Sequence, residues 1–104
     1  MGRGRGGEDD PLLRQRLDKW IWFARFQRSR ERCAELVRAG HVRVNGRRET
    51  SPGAFIKCGD VLTLALPGQT VVVQVLDLAE RRGSSTVAGE LYGRLEGQSE
   101  KVLA

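Results

Sequence analysis

Apolar residues early in the chain repeat with the spacing of an α-helix. Four of them share the i, i+3, i+4, i+7 pattern of one buried helix face: Leu17, Trp20, Ile21 and Ala24. The pair Asp10-Pro11 is typical of a helix start, with Asp at the N-cap and Pro in the first turn. This segment is therefore predicted to form one amphipathic helix.

A second helix is predicted directly after the first. Ser29 is a favourable N-cap, and Gly40 is a residue that commonly ends a helix. The inner face of this helix is predicted to consist of Cys33, Leu36 and Val37, with Ala34 at its edge.

The pattern then changes to the every-second-residue period of a strand. Val42 and Val44 alternate with polar residues, and Asn45-Gly46 is a turn dipeptide suited to the positive φ angles of a tight hairpin. The return arm carries Arg47 and Arg48. The valines are predicted to point toward the core, and the basic side chains outward beside the second helix.

The second half of the chain is dominated by strand patterns. Val61–Leu66 and residues 70–78 are predicted strands of a hairpin that turns at residues 67–69. Residues 80–86 are a predicted polar loop, and residues 87–97 a short, glycine-weakened final helix. The predicted fold class is α+β: a two-helix plus β-hairpin unit packed on a small, mostly antiparallel sheet, with a short C-terminal helix.

Positive charge is concentrated in one third of the 104-residue chain. Residues 14–48 hold eleven Lys or Arg against three Asp or Glu, whereas residues 49–104 hold five against seven. Such asymmetry favours a polyanionic partner, most often nucleic acid. The predicted domain organisation is a disordered tail at residues 1–13, one folded domain at 14–97 and a C-terminal tail at 98–104.

Several classes of function lack a signal in this sequence. The apolar runs are too short to cross a bilayer, and the glycine-rich, charged N-terminal stretch has no apolar core of a signal peptide. Cys33, Cys58 and the single His41 do not form a zinc-binding pattern. There is no glycine-rich phosphate loop and no nucleophile-and-base signature. We therefore predict a cytoplasmic protein with reduced thiols, no cofactor and no enzymatic activity.

Short motifs at specific spacings resemble the S4-type RNA-binding domain, whose two-helix plus hairpin unit is known as the αL motif. They are Arg16-Leu17-Asp18-Lys19, Ser29-Arg30, Gly40-x-Val42-x-Val44-Asn45-Gly46 and Gly59-Asp60. The run from Trp20 to Phe26 is similar to the ribosome-associated heat-shock proteins of the fifteen-kilodalton type. A cousin in bacterial ribosome quality control also fits. The heat-shock type carries a long basic C-terminal extension that this sequence does not show.

The resemblance implies that residues 14–97 are an RNA-binding domain. The implied partners are ribosomal RNA of the large subunit and peptidyl-tRNA on subunits that carry a stalled nascent chain. The implied role is rescue or quality control under stress. A monomer is expected. The alternatives are the RNA-binding module of an RNA-modifying enzyme of the pseudouridine synthase type, or a protein-interaction adaptor.

Phosphate contacts are expected from the basic side chains of this unit and from the backbone N–H groups at the start of the second helix. The predicted RNA-binding residues are Arg16, Lys19, Arg28, Ser29, Arg30, His41, Arg43, Asn45, Arg47 and Arg48. Asp18 is expected to favour the helix start or to orient an arginine. Trp22 and Phe23 are expected to pack against the sheet, with base stacking as the alternative.

Overall fold

The computed structural model describes residues 13–80 and 82–95. Its helices are α1 at Leu17–Phe23, α2 at Arg30–Arg38 and α3 at Ser85–Gly89. Its strands are β1 at Gln15–Arg16, β2 at Val42–Val44, β3 at Arg47–Arg48, β4 at Phe55–Ile56, β5 at Val61–Leu66, β6 at Gln69–Val75 and β7 at Tyr92–Arg94. The predicted α+β fold class is confirmed.

The strands form one antiparallel sheet of five strands and a separate pair. The sheet has the order β3-β2-β5-β6-β7, and β1 pairs with β4. The β5–β6 hairpin runs from the pair Val61↔Gln74 to the pair Leu66↔Gln69, around a two-residue turn. This hairpin was predicted from the alternation of apolar residues.

One hydrophobic core fills the space between α1, α2 and one face of the sheet. Leu17, Trp20 and Ile21 of α1 are completely buried, and so are Leu62 and Leu64 of β5. The other helix and the neighbouring strands complete this core with Cys33, Leu36, Val37, Val42, Val71, Val73 and Val75. The predicted inner faces of both helices and of β2 are thereby confirmed.

Helix α1 begins at Leu17, whereas Asp10-Pro11, the predicted start, lies outside the described residues. The reason is a tertiary one. The N–H groups of Leu17 and Asp18 donate to the carbonyls of Ala54 and Pro52, at 2.8 and 3.1 Å. These bonds satisfy two amides that have no partner inside a helix. The residues before Leu17 instead pair with β4.

The prediction of a helix over residues 87–97 is wrong in position. Helix α3 begins at Ser85, and the Ser84 hydroxyl accepts a hydrogen bond from the N–H of Val87. After five residues the chain becomes strand β7, in which Tyr92 pairs with Val75. Glycine is a poor helix former, and pairing with the open edge of β6 satisfies the backbone better. In the part of the chain described here, no helix is long and apolar enough to cross a bilayer.

Candidate RNA-binding surface

A buried carboxylate lies at the centre of the basic residues on the helices. Asp18, in the first turn of α1, is only 4% exposed. Arg16 donates to it from Nε and Nη2, each over 3.1 Å, and Nη2 of Arg30 lies 4.0 Å from Oδ1. The side chains of Arg16 and Arg30 keep 47% and 43% of their surface exposed. Asp18 therefore orients Arg16 through two hydrogen bonds and lies within ion-pair distance of Arg30, which confirms the expectation that it orients an arginine.

Lys19 and Ser29 complete this part of the surface, together with Arg28. The Lys19 ammonium lies 5.7 Å from the centroid of the Phe23 ring. The Ser29 hydroxyl accepts a hydrogen bond from the N–H of Arg32, which confirms the predicted N-cap of α2. Arg28 is exposed in the turn before it. We call Arg16, Lys19, Arg28, Ser29 and Arg30 the helix cluster.

The hairpin after α2 presents a second group of basic residues, the hairpin cluster: His41, Arg43, Arg47 and Arg48, all of them exposed. Arg43 is the direct cross-strand partner of Arg48, and Arg47 is the partner of Val44. Directly opposed side chains share a face of the ribbon. Arg43 and Arg48 therefore lie together with His41, which is two residues before Arg43, whereas Arg47 lies on the opposite face.

The turn of this hairpin has the predicted conformation. Asn45 has a φ of 52° and Gly46 a φ of 86°. Both ends of the Asn45 side chain are used within the fold. Its Nδ2 donates to Asp60 over 3.1 Å, and its Oδ1 accepts from the N–H of Val61 over 2.9 Å. Asn45 thus fixes the position of the hairpin tip, although the sequence suggested an RNA contact.

Helix α2 connects the two clusters. Arg30 begins this helix and Gly40 follows its last turn, and the nine residues of α2 span about 14 Å along the helix axis. The Arg48 side chain packs against Gly40, where an added Cβ would lie 3.3 Å from its Cδ atom. The hairpin is therefore held against the end of α2, and the two clusters keep a constant separation.

Comparison with known proteins identifies the folded unit. Residues 15–62 match the family model of the S4 domain. Heat shock protein 15 of Escherichia coli K12 is 32% identical over 94 residues, which are 90% of this chain and 70% of that protein. The chain belongs to the heat shock protein 15 family. The heat shock protein 15 homologue of Aeromonas salmonicida is 34% identical over 86 residues, 83% of this chain and 64% of its own length.

A solved structure shows that this heat shock protein 15 family member also shares the fold of the family. The structure of heat shock protein 15 from Vibrio cholerae, described as trimeric, has a TM-score of 0.78 and 27% sequence identity. The match covers 86% of this chain and 92% of that one. Small ribosomal subunit protein uS4 of Trichlorobacter lovleyi is 38% identical over 74 residues, only 36% of its length, so the shared part is a module. The resemblance seen in the sequence is confirmed.

Arg82 contacts the candidate surface of this heat shock protein 15 family member, although it was not among the residues predicted from the sequence. Its Nη1 donates to the carbonyl of Arg28 over 3.0 Å, and its Nη2 to that of Gln27 over 3.4 Å. Its guanidinium also lies 5.0 Å from the Trp22 ring centroid. Arg82 thus ties a distant loop to the turn before α2. No sequence pattern links residues 54 or more positions apart.

Arg25 forms a second contact between the turn before α2 and the loop that contains Arg82. It adopts a φ of 64°, which is unusual for a side chain with a Cβ, and its Nε donates to the carbonyl of Gly83 over 3.0 Å. Trp22, predicted to pack against the sheet with base stacking as the alternative, is half-buried below Arg82. Phe23 is buried in the core, so the packing interpretation is confirmed for this residue.

The two thiols lie in different environments, and both are free. Burial raises the pKa of Cys33 to about 12, and the nearby Asp18 carboxylate contributes to the rise. Burial also raises the pKa of the more exposed Cys58, and Asp77 adds to this effect. Within the described residues there is no group of three or more His, Cys, Asp or Glu that could hold a metal ion.

Proposed function

We propose that the protein binds ribosomal RNA of the large subunit, on subunits that still carry peptidyl-tRNA, and that it acts there in rescue or quality control. Its S4 domain and its membership of the heat shock protein 15 family make the chain a ribosome-associated RNA-binding protein. Beyond this, we propose that it acts on the large subunit and contacts tRNA there. We also propose that it has no catalytic activity and is located in the cytoplasm. The observation that carries the RNA-binding part of the proposal is the contact of Asp18 with two half-exposed arginines, Arg16 and Arg30.

The helix cluster has the properties of a phosphate-binding surface. Asp18 carries one negative charge against the two positive charges of Arg16 and Arg30, whose side chains are 47% and 43% exposed. A guanidinium that is already oriented loses less side-chain freedom when it binds a phosphate. The hairpin cluster adds Arg43 and Arg48 at a fixed distance. Two clusters at opposite ends of a helix about 14 Å long suit a partner with several phosphates along its backbone.

Two separated clusters also favour a site between two polyanions. A surface that touches rRNA with one cluster and tRNA with the other forms both sets of contacts in a single association step. Such a joint site is expected to bind more tightly than bare rRNA. A large subunit with peptidyl-tRNA, from which the small subunit has left, is the particle that offers this arrangement.

Salt dependence tests the phosphate-binding part. The affinity for rRNA fragments should fall steeply as salt increases, because each neutralised phosphate releases counterions. The slope in question is that of the logarithm of the binding constant against the logarithm of the salt concentration. In a variant with Arg16→Gln, Lys19→Gln and Arg30→Gln, this slope should be less negative by about two to three. Glutamine retains hydrogen-bond donors toward Asp18, and circular dichroism checks that the variant is folded. An equal slope for both proteins would place the phosphate contacts elsewhere.

Co-sedimentation tests the choice of particle. The protein is mixed with empty large subunits, with large subunits carrying peptidyl-tRNA, with small subunits and with whole ribosomes. We expect the strongest retention on the large subunits with peptidyl-tRNA. Equal retention on all particles would leave only a general rRNA-binding protein, and a preference for small subunits would contradict the proposal.

The protein is proposed to act as a monomer, because the two clusters lie on one chain. Light scattering after size-exclusion chromatography measures the mass in solution. The trimer described for the Vibrio cholerae relative is the contrasting outcome. A trimeric mass for this chain would require three copies of the surface in any account of ribosome binding.

A further inference from the structure

Phe55 is the most exposed large apolar side chain of the described residues. Its exposed fraction is 55%, whereas the next residue, Ile56, is 1% exposed. This difference follows from the alternation of side chains along β4. Ile56 points into the core, and Phe55 points outward from the β1–β4 pair.

The strand register places this aromatic ring among arginines. Phe55 is the direct cross-strand partner of Arg16, so their side chains leave the same face of the pair with Cβ atoms about 5 Å apart. Arg14, two residues earlier, also leaves that face. Its Cζ atom lies 4.6 Å from the centroid of the Phe55 ring. Phe55 therefore borders the helix cluster directly.

Stability alone does not account for this arrangement. An exposed cation–π contact contributes little to stability, and more than half of the Phe55 surface stays in water. The Arg14 guanidinium lies 4.6 Å from the ring centroid, and 55% of the Phe55 surface remains accessible to a further partner. The flanking positive charges select a partner that combines a flat apolar surface with nearby negative charge. A nucleotide has both properties.

We propose that Phe55, together with Arg14, is a stacking platform for one unpaired nucleobase of the bound RNA. This inference rests on the proposed RNA-binding function and adds the chemical class of the ligand at one point of the surface. Bases inside a double helix are already stacked on each other, so the platform requires a base in a loop, a bulge or a single strand. Arg16, beside the platform, is positioned for the phosphate of the same or the next nucleotide.

Two matched probes separate base stacking from phosphate binding. One is an oligouridylate, and the other is an abasic ribose-phosphate oligomer of the same length and charge. The wild-type protein should bind the oligouridylate about fivefold to a hundredfold more tightly. Phe55→Ala should lose this preference while it binds the abasic oligomer as the wild type does. Phe55→Trp should keep the preference, and its added indole fluorescence should be quenched by the oligouridylate only.

Leu76→Ala is the control, because Leu76 is exposed to a similar extent, 54%, outside the two-helix unit. It should leave both affinities unchanged. A Phe55→Ala variant that still prefers the oligouridylate overturns the platform. Wild-type binding to rRNA without any preference between the oligomers also overturns it and leaves the proposed function standing. Absence of binding to rRNA and to both oligomers overturns the proposed function itself.

Discussion

Arg16 and Asp18 form a bidentate salt bridge, in which Nε of the arginine donates to Oδ1 of the carboxylate and Nη2 donates to Oδ2, both over 3.1 Å. The carboxylate is buried and the guanidinium is about half exposed. An acidic residue in the middle of a basic surface is unfavourable for phosphate binding by its charge alone. It is favourable if it orients the arginines.

Asp18→Asn distinguishes these two effects by the sign of the change. Removal of a negative charge should strengthen RNA binding if only net charge matters. We expect RNA affinity to fall about fivefold, because Arg16 loses the charged partner that orients it and Arg30 loses its ion pair. Fluorescence anisotropy with an rRNA fragment measures this change. Glu90→Gln removes an exposed acid outside the two-helix unit and is the charge-matched control, expected to bind as tightly as the wild type or slightly more tightly.

Gly46→Ala tests the hairpin turn. An added Cβ at Gly46 would meet no atom within 4 Å, so the whole cost comes from its φ of 86°. We expect the free energy of unfolding to decrease by about 1–2 kcal/mol, with faster exchange of the amides of β2 and β3. Gly89→Ala is the control. Gly89 also has open space around it but no positive φ, and its replacement should not destabilise the protein. Equal effects at both positions would contradict the turn assignment.

Arg82→Met tests the link between the distant loop and the turn before α2. The substitution removes two hydrogen bonds to carbonyl oxygens and the contact with Trp22, and should lower the free energy of unfolding by about 2 kcal/mol. The indole N–H signal of Trp22 in NMR spectra should shift. That of Trp20, which donates to the carbonyl of Asp77, should stay in place and serve as an internal reference. Arg38→Met, at an exposed position of α2, should change neither signal.

Thiol reactivity tests the contrast between Cys33 and Cys58. At pH 8 the folded protein should react with a thiol reagent at Cys58 only, and in denaturant at both positions. The raised pKa of Cys58 keeps it mostly as the thiol, so its rate should be below that of an unstructured cysteine and should increase with pH. Rapid reaction of both thiols in the folded state would contradict the burial of Cys33.

Cys33 should also contribute to the pH dependence of stability. Its pKa is raised from 9.0 to about 12 in the folded state, so above pH 9 the unfolded chain releases this proton first. Stability is therefore retained below pH 9 and lost as the pH rises toward 12. Denaturant unfolding of wild type and Cys33→Ala over this range measures the effect. The wild type should lose stability more steeply than the variant.

Local patterns were sufficient to predict most of the two-helix unit. The apolar spacing around Trp20, the cap at Ser29 and the turn at Asn45-Gly46 each depend on residues within one or two turns of the chain. The second helix and the hairpin turn appear where the sequence placed them, and so does the buried face of the first helix, although its start does not. The predicted strands of the β5–β6 hairpin appear for the same reason, since alternation over six residues is a strong local signal.

The features that were missed depend on contacts between distant residues. Helix α1 starts at Leu17 because the carbonyls of Pro52 and Ala54 accept its first amide hydrogens. The strand Tyr92–Arg94 exists because β6 offers an open edge. In the candidate site, the engagement of Asn45 with Asp60 could not be seen before the two turns were placed side by side. The position of Phe55 beside Arg16, on which its proposed stacking role depends, follows from the register of a strand pair only two residues long.

The position of β3 at the edge of the sheet has a consequence for the free protein. An edge strand exposes unpaired backbone groups onto which a second chain can add a strand. Here the edge is two residues long, and both are arginines. Two chains that approach edge to edge would bring these positive charges face to face. The residues proposed to attract RNA therefore also repel other copies of the protein, and one pair of side chains favours the intended partner while it opposes aggregation.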